Sequence, residues 1–236
     1  TMIDKKIIAL GGGSLAEKTT LEIDEYIANL AKIHAGEKRA NGIFIGTASH
    51  DSMPYFNSFR KTYTGVFNIK ADCVLTVYGE MNEQKIAAKF EKADMIYIGG
   101  GDTLFMLDHW KKSGVLDKVT EAYERGVVIS GLSAGAICWF NAMYTDSKAF
   151  CDDEAYHISK GIGKLDGLCC PHYEERKEDF SVAFKDSLMT SAWCIEGNAA
   201  LEFTNGMFTK ALSSGGNAYK IIKSDDEQTT QTIKLI

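Results

Sequence analysis

The sequence has little proline, and its cysteines form no recognisable motif. Of 236 residues only 2 are proline, and no proline-rich linker divides the chain. The 6 cysteines include no Cys-x-x-Cys pair, and Cys169 and Cys170 are adjacent, so neither a zinc site nor a disulfide scaffold is indicated. We therefore expect reduced thiols packed as small hydrophobic groups, as in a cytoplasmic protein.

Excess positive charge and long apolar runs are also missing. The chain has 26 Lys and Arg against 32 Asp and Glu, a formal net charge of −6, which argues against a nucleic-acid partner or a polybasic membrane protein. No apolar run approaches the roughly 20 residues of a membrane helix, and the first one is too short for a signal peptide. With 45% hydrophobic and 25% charged residues, the composition is that of a soluble globular protein, and we predict one α/β domain over residues 1–236.

In the first two thirds of the chain, short apolar runs typical of buried strands alternate with segments of helical periodicity. Strands are predicted at 6–10, 43–45, 73–77, 95–98 and 126–130, and helices at 21–34, 54–64, 82–92, 103–112 and 116–125. This alternation predicts a mainly parallel sheet with helices on both faces. Ligands of such sheets bind beyond the carboxyl ends of the strands, so the loops there are the first candidates for a site.

Beyond residue 190 the predicted strands are shorter and closer together. They cover residues 193–195, 199–203 and 207–212, and the last two are joined by the turn Asn205-Gly206. This spacing predicts an antiparallel hairpin extending the edge of the sheet, not a separate domain.

The sequence Gly131-Leu132-Ser133-Ala134-Gly135 follows a predicted strand and precedes an apolar stretch, 136–143, that we predict as a helix. A Gly-x-Ser-x-Gly between strand and helix is typical of a nucleophile elbow, which exposes the serine hydroxyl at the sheet edge. The N–H of Ala134 would then face a developing oxyanion. The alternative is a turn of small residues that serves packing alone.

A nucleophilic serine needs a base, and the chain has five histidines. His172 is the best candidate, because the apolar run 168–170 places it just past the end of a strand. His50 also follows a strand and could line the site. The other three have no expected role in a site: His34, His109 and His157.

The base in turn needs a carboxylate that orients it. Glu196 follows the predicted strand 193–195 and is the first candidate. Four further carboxylates stay open: Glu202, Asp146, Asp152 and Asp153.

A glycine-rich loop at residues 99–103 follows the fourth strand and opens a helix. It lacks the Gly-Lys-Ser/Thr ending of a phosphate-binding loop, and residues 11–14 lack the spacing of a dinucleotide site. A nucleotide-binding module is therefore the weaker interpretation. The stronger one is that the Gly101 N–H joins the Ala134 N–H as a second oxyanion donor.

Four motifs in order resemble the peptidase E family of serine peptidases, family S51, which includes aspartyl dipeptidase and cyanophycinase. They are IGGGDT at 98–103, GLSAGA at 131–136, PHY at 171–173 and IEGN at 195–198, and the resemblance covers nearly the whole chain. It implies a fold like that of class I glutamine amidotransferases, with serine in place of their cysteine. It also implies a metal-independent triad without a cofactor: Ser133, His172 and Glu196, with Gly101 and Ala134 as oxyanion hole.

The substrate is less well indicated. Aspartyl dipeptidases have a longer segment after the histidine, with an arginine linked to aspartate recognition; here the segment is 173–179. Arg176 could bind a substrate carboxylate, but its acidic neighbours would oppose one, and a solvated helix charge is an equal alternative. Asp102 and His50 are further candidates for substrate contact. The acidic residues 152–154 would favour basic substrate groups.

The sequence therefore predicts a serine peptidase that cleaves short peptides through an acyl-enzyme. A dipeptidase preferring acidic N-terminal residues is one form of this prediction. An isopeptide or β-aspartyl hydrolase of the cyanophycinase type is an alternative, as is a binding protein of this fold that has lost catalysis. We expect a monomer or homodimer whose partner is a small peptide, with no nucleic acid or membrane, and leave open whether residues 144–165 form a lid.

Overall fold

The computed structural model of the chain describes residues 2–79, 81–150, 155–226 and 229–236. Within these ranges there are seven α-helices and thirteen strands, the strands arranged in two sheets. The helices are α1 (Leu21–Ala35), α2 (Met53–Tyr63), α3 (Glu83–Lys92), α4 (Thr103–Ser113), α5 (Val115–Glu124), α6 (Ala134–Ile137) and α7 (Tyr173–Asp186). The strands are β1 (Lys6–Leu10), β2 (Asn41–Ile45), β3 (Lys70–Val74), β4 (Met95–Ile98), β5 (Val128–Leu132), β6 (Phe140–Thr145), β7 (His157–Lys160), β8 (Leu165–Cys170), β9 (Ser191–Ile195), β10 (Ala199–Thr204), β11 (Met207–Ser213), β12 (Ala218–Lys223) and β13 (Thr230–Lys234).

The first sheet has the strand order β11-β10-β1-β5-β4-β2-β3. Its strands β1, β5, β4, β2 and β3 are parallel, whereas β10 pairs antiparallel with β1 and continues into the β10–β11 hairpin. The predicted parallel sheet and its antiparallel hairpin, β10 and β11, are therefore confirmed. The third strand expected at this edge, 193–195, is instead β9 of the second sheet, where it pairs parallel with β8 and antiparallel with β12.

Helices cover both faces of this sheet, and β1 shows why. Ile8 and Leu10 pack in a core with apolar residues of α1 and α2, while Ile7 and Ala9 pack in a second core with those of α3, α4 and α5. Because successive side chains of a strand point to opposite faces, an unbroken apolar run is what a strand covered on both faces requires.

The second sheet, of order β13-β12-β9-β8-β6-β7, was not predicted. The expected helix over 136–143 is wrong: α6 ends at Ile137, and β6 pairs with β7 and β8. The side chains of β6 enter two cores, Met143 on one face and Tyr144 on the other. A strand buried on both faces shows no alternation, so periodicity does not distinguish it from a buried helix.

The two sheets meet at the carboxyl ends of their strands. The N–H of His172, just after β8, donates to Gly11 O, just after β1, at 2.8 Å. The N–H of Asn198, between β9 and β10, donates to Gly12 O at 3.1 Å. Among the described residues, no helix has the length and apolar character needed to cross a membrane.

Candidate active site

Ser133 lies in a strained turn between β5 and α6. Its φ of 54° and ψ of −108° lie in a region that residues with a side chain rarely adopt. A Cβ added at Gly131 would lie 2.0 Å from Gly135 O, and one added at Gly135 would lie 2.0 Å from Ile98 O. Both glycines are therefore required by close backbone contacts, and the turn has the geometry of the predicted nucleophile elbow.

His172 lies within hydrogen-bonding reach of this serine. Its Nε2 is 3.0 Å from Ser133 Oγ, although the two residues are 39 positions apart in the sequence. His172 precedes α7 with left-handed backbone angles, φ 47° and ψ 42°, and is held by its N–H bond to Gly11 O. The structure thus brings the predicted nucleophile and base together at a distance suited to proton transfer.

The environment of His172 favours the neutral imidazole. Burial lowers the pKa of His172 below its ordinary value, and the Arg176 guanidinium lowers it further. The carboxylates of Glu175, Glu174 and Asp146 oppose this shift without cancelling it. A neutral imidazole can accept the serine proton, so the charges around His172 suit a general base.

Two backbone N–H groups beside Ser133 are suited to stabilise an oxyanion. Ala134 is the first residue of α6, so its N–H has no acceptor within the helix. The N–H of Gly101 likewise donates to no acceptor in the part of the chain that the structure describes. Gly101 lines the same cleft as Ser133, as the predicted pair of donors requires.

Tyr55, on α2, is a residue at this site that the sequence analysis missed. The N–H of Gly100 donates to Tyr55 Oη at 3.1 Å, which ties the glycine loop after β4 to α2. Burial raises the pKa of Tyr55 to about 12, against the opposing effect of the Gly100 N–H, so the phenol stays protonated. No motif marks a single tyrosine in a helix, and only the fold brings it to this loop.

A cleft of about 440 Å³ opens in front of Ser133. Apart from His172, the lining residues that the structure describes carry no ionisable group other than the phenol of Tyr55. The lining residues are Gly13, Ser14, Leu15, Ala16, Pro54, Tyr55, Ser58, Gly100, Gly101, Leu132, Ser133 and His172.

The glycine run after β1 lies against the base. A Cβ added at Gly12 would lie 2.6 Å from His172 Nδ1 and 2.7 Å from its Cε1. Any side chain at this position would therefore displace the imidazole. Gly12 thus makes room for a histidine 160 positions later in the chain, a contact that the run Gly11-Gly12-Gly13 does not reveal in the sequence.

Glu196, the predicted third member of the triad, forms no hydrogen bond with His172 in the part of the chain that the structure describes. Its Oε1 instead accepts a hydrogen bond from Asn217 N at 2.9 Å. The carboxylates near His172 are those of Glu174 and Glu175. One donor atom each of His172, Glu174 and Glu175 lies within 4.8 Å of the other two.

The predicted substrate-binding residues lie outside the cleft lining. Arg176 is buried: it donates to Tyr144 O at 3.0 Å and lies 4.6 Å from the ring centroid of Tyr156. It is thus neither a carboxylate clamp in the cleft nor a solvated helix charge. Arg176 instead packs against Tyr144 of β6 and Tyr156, in the core beneath the second sheet.

Asp102 and His50 also have structural partners. Asp102 caps α4 by accepting from Phe105 N at 3.0 Å and also accepts from Ser147 Oγ. Burial acts to raise the pKa of Asp102, but these hydrogen bonds outweigh it and the pKa is lowered. The His50 ring packs on Phe105, with 4.0 Å between the ring centroids.

Two of the four other carboxylates considered as the third member of the triad have partners of their own. Glu202 is buried and bonded to Lys6, Tyr26 and Thr209, so it serves the first sheet. Asp146 lies 3.6 Å from the Arg176 guanidinium. Asp152 and Asp153, and with them the acidic stretch 152–154, lie outside the described residues.

Comparison with known proteins agrees with the resemblance seen in the motifs. Peptidase family S51 matches residues 7–211. The chain is 33% identical over 232 residues to the uncharacterized peptidase YgaJ of Bacillus subtilis (strain 168), with 94% of each chain covered. It is 32% identical over 94 residues to the uncharacterized peptidase Lin0382 of Listeria innocua, covering 37% of this chain and 43% of that protein.

A solved structure shows the same fold. The crystal structure of a peptidase from an acI-B1 Actinobacterium superposes with a TM-score of 0.69 at 14% identity, covering 98% of this chain and 95% of that one. With a family match over most of its length and a curated relative over 94% of it, the chain belongs to peptidase family S51 and is a serine-type peptidase.

Proposed function

We propose that this peptidase cleaves short peptides through an acyl-enzyme formed on Ser133, with His172 as the general base. The observation that supports this most directly is the 3.0 Å contact between His172 Nε2 and Ser133 Oγ at a strained elbow. A hydroxyl is a weak nucleophile unless a base takes its proton as it attacks, and a neutral imidazole can accept that proton whereas an imidazolium cannot.

The steps follow from the positions of these groups. As Ser133 Oγ attacks the scissile carbonyl, its proton passes to His172 Nε2. The carbonyl oxygen becomes an oxyanion, to which the N–H groups of Gly101 and Ala134 donate. The tetrahedral intermediate then collapses: the C–N bond breaks, and the imidazolium protonates the leaving amine. Water attacks the acyl-enzyme with the same base and releases the acid product.

The cleft favours substrates whose side chains near the scissile bond are neutral. Its lining offers apolar groups from Leu15, Ala16 and Pro54 and hydroxyls from Ser14, Tyr55 and Ser58. Arg176, expected to bind a substrate carboxylate, is not among the lining residues and is already bonded to Tyr144. We therefore propose neutral dipeptides and short peptides, and not acidic ones, as the preferred class.

The test is hydrolysis of a panel containing α-Asp-Xaa, β-Asp-Xaa and neutral Xaa-Xaa peptides by the wild type and Ser133→Ala. We expect cleavage of neutral members and its loss in the variant by a factor of about 10⁴ or more. Ser181→Ala, on the exposed side of α7, is a matched control that should keep full activity. Full activity of Ser133→Ala would overturn the mechanism, while a preference for β-Asp-Xaa would support the isopeptidase alternative instead.

A further inference from the structure

Among the described residues, the Glu196 carboxylate that the motifs indicate forms no hydrogen bond with His172. A histidine that takes a proton in the transition state needs a nearby carboxylate to stabilise the imidazolium. Glu196 already accepts a hydrogen bond from Asn217 N at 2.9 Å. The carboxylates of Glu174 and Glu175, in contrast, act to raise the pKa of His172.

Glu174 is fixed in place although its side chain is exposed. Both of its carboxylate oxygens accept from the N–H of Gly197, at 3.1 Å and 3.0 Å. Its Oε1 lies only 2.9 Å from the point where a Cβ of Gly197 would be. The carboxylate therefore fills the space that a side chain at position 197 would enter.

This space adjoins the imidazole. A Cβ added at Gly12 would lie 2.6 Å from His172 Nδ1 and 3.4 Å from Gly197 Cα, so the imidazole and Gly197 border the same glycine. A carboxylate oxygen of Glu174 and an imidazole nitrogen lie within 4.8 Å of each other. At this separation the carboxylate acts through its charge, because a hydrogen bond requires about 3 Å.

Glu175 lies equally near, but among the described residues its carboxylate accepts no hydrogen bond. An exposed side chain without an anchor must lose conformational freedom before it can act on a neighbour, which weakens its effect. Two further charges among the described residues act on His172: the Arg176 guanidinium, which opposes the imidazolium, and the Asp146 carboxylate, which lies 3.6 Å from that guanidinium.

We propose that Glu174, held by the Gly197 N–H, is the carboxylate that positions His172 and stabilises its imidazolium, in place of Glu196. The proposal rests on the proposed function, because it assumes that His172 is the base. Glu174 acts through the histidine and is therefore a positioning residue. Glu175 adds a second, weaker negative charge on the same side.

A fluorophosphonate probe tests the proposal without knowledge of the natural substrate, because it labels a serine activated by a base. The labelling rate is measured from about pH 4 to 9, where its pH dependence reports the pKa of the base. In wild type this kinetic pKa should lie below the ordinary histidine value, with the rate falling as the pH falls through it. Ser133→Ala should not label.

Glu174→Gln removes the charge and keeps the size of the side chain. We expect labelling about tenfold slower or more, with a kinetic pKa lower than in wild type, because losing a negative charge favours the neutral imidazole. Glu178→Gln, the matched control, removes the same charge one turn further along α7 and should stay within about twofold of wild type. Glu196→Gln should leave the kinetic pKa in place.

The opposite pattern overturns the proposal: Glu174→Gln behaving like Glu178→Gln, or Glu196→Gln giving the slower labelling and the lower pKa. Absence of labelling in the wild type would instead contradict the proposed function. The proposal about Glu174 would then be decided by NMR titration of the His172 imidazole, because the charge of Glu174 shifts that pKa whether or not the serine reacts.

Discussion

The two sheets contribute different kinds of groups to the site. The first sheet supplies Ser133 after β5 and the loop of Gly100 and Gly101 after β4, and there the chemistry depends on backbone angles and N–H groups. The second sheet supplies His172 after β8, and the helix α7 that follows supplies the exposed carboxylates of Glu174 and Glu175. On this side of the site the chemistry depends on side chains. Positions fixed by close backbone contacts tolerate almost no substitution, whereas a charge can be supplied from any residue that reaches the right place.

This difference is tested most severely at the elbow. A Cβ added at Gly135 would lie 2.0 Å from Ile98 O, a backbone atom inside a buried strand. Gly135→Ala should therefore lower the free energy of unfolding by about 3 kcal/mol or more and abolish labelling, because either β4 or the elbow must move. Urea unfolding and fluorophosphonate labelling measure the two effects.

Gly114→Ala gives the scale for this experiment. Gly114 follows α4 with φ 78° and ψ 1°, in the left-handed region, and nothing lies within 4 Å of an added Cβ. The substitution should cost only the strain of a left-handed residue, about 1–2 kcal/mol, and leave labelling unchanged. If Gly135→Ala were no worse than Gly114→Ala, the elbow would be less tightly packed than the structure indicates.

The same contrast explains what the sequence could predict. The first sheet follows from the alternation of apolar runs and helical segments, and the elbow follows from its two glycines, because both are local patterns. Ser133 and His172 were found because each follows a strand, and parallel strands bring their carboxyl ends to one edge. Local sequence is sufficient wherever the backbone alone determines the structure.

The second sheet and the carboxylate were not predictable in this way. The strand β6 is buried on both faces, so its apolar run resembles a buried helix. Glu174 is one of several acidic residues in 174–179, and only Gly197, more than twenty positions away, distinguishes it by binding its carboxylate. Contacts between distant segments decide such cases, and a single sequence carries no sign of them.

Gly12→Ala tests the contact between the two sheets at the site, where Gly12 after β1 lies against His172 after β8. The added Cβ would lie 2.6 Å from His172 Nδ1, but this neighbour is a side chain that can move, unlike the backbone beside Gly135. Stability should fall by about 1–2 kcal/mol, while displacement of the base should slow labelling about 100-fold. Loss of stability with unchanged labelling would show that the glycine run after β1 does not set the position of His172.

Tyr55→Phe should have the smallest effect. It measures how far the glycine loop after β4, which supplies a backbone N–H to the oxyanion, depends on a side chain for its position. The variant removes only the hydroxyl that accepts the Gly100 N–H, so the loop carrying the Gly101 donor loses one fixed point. We expect labelling about tenfold slower and a loss of stability of about 1 kcal/mol, with no change in the kinetic pKa, since the charges around His172 are untouched. Tyr78→Phe, at an exposed tyrosine, is the matched control. A shift of the kinetic pKa in Tyr55→Phe would contradict this assignment, because it would place the phenol among the groups that act on the base.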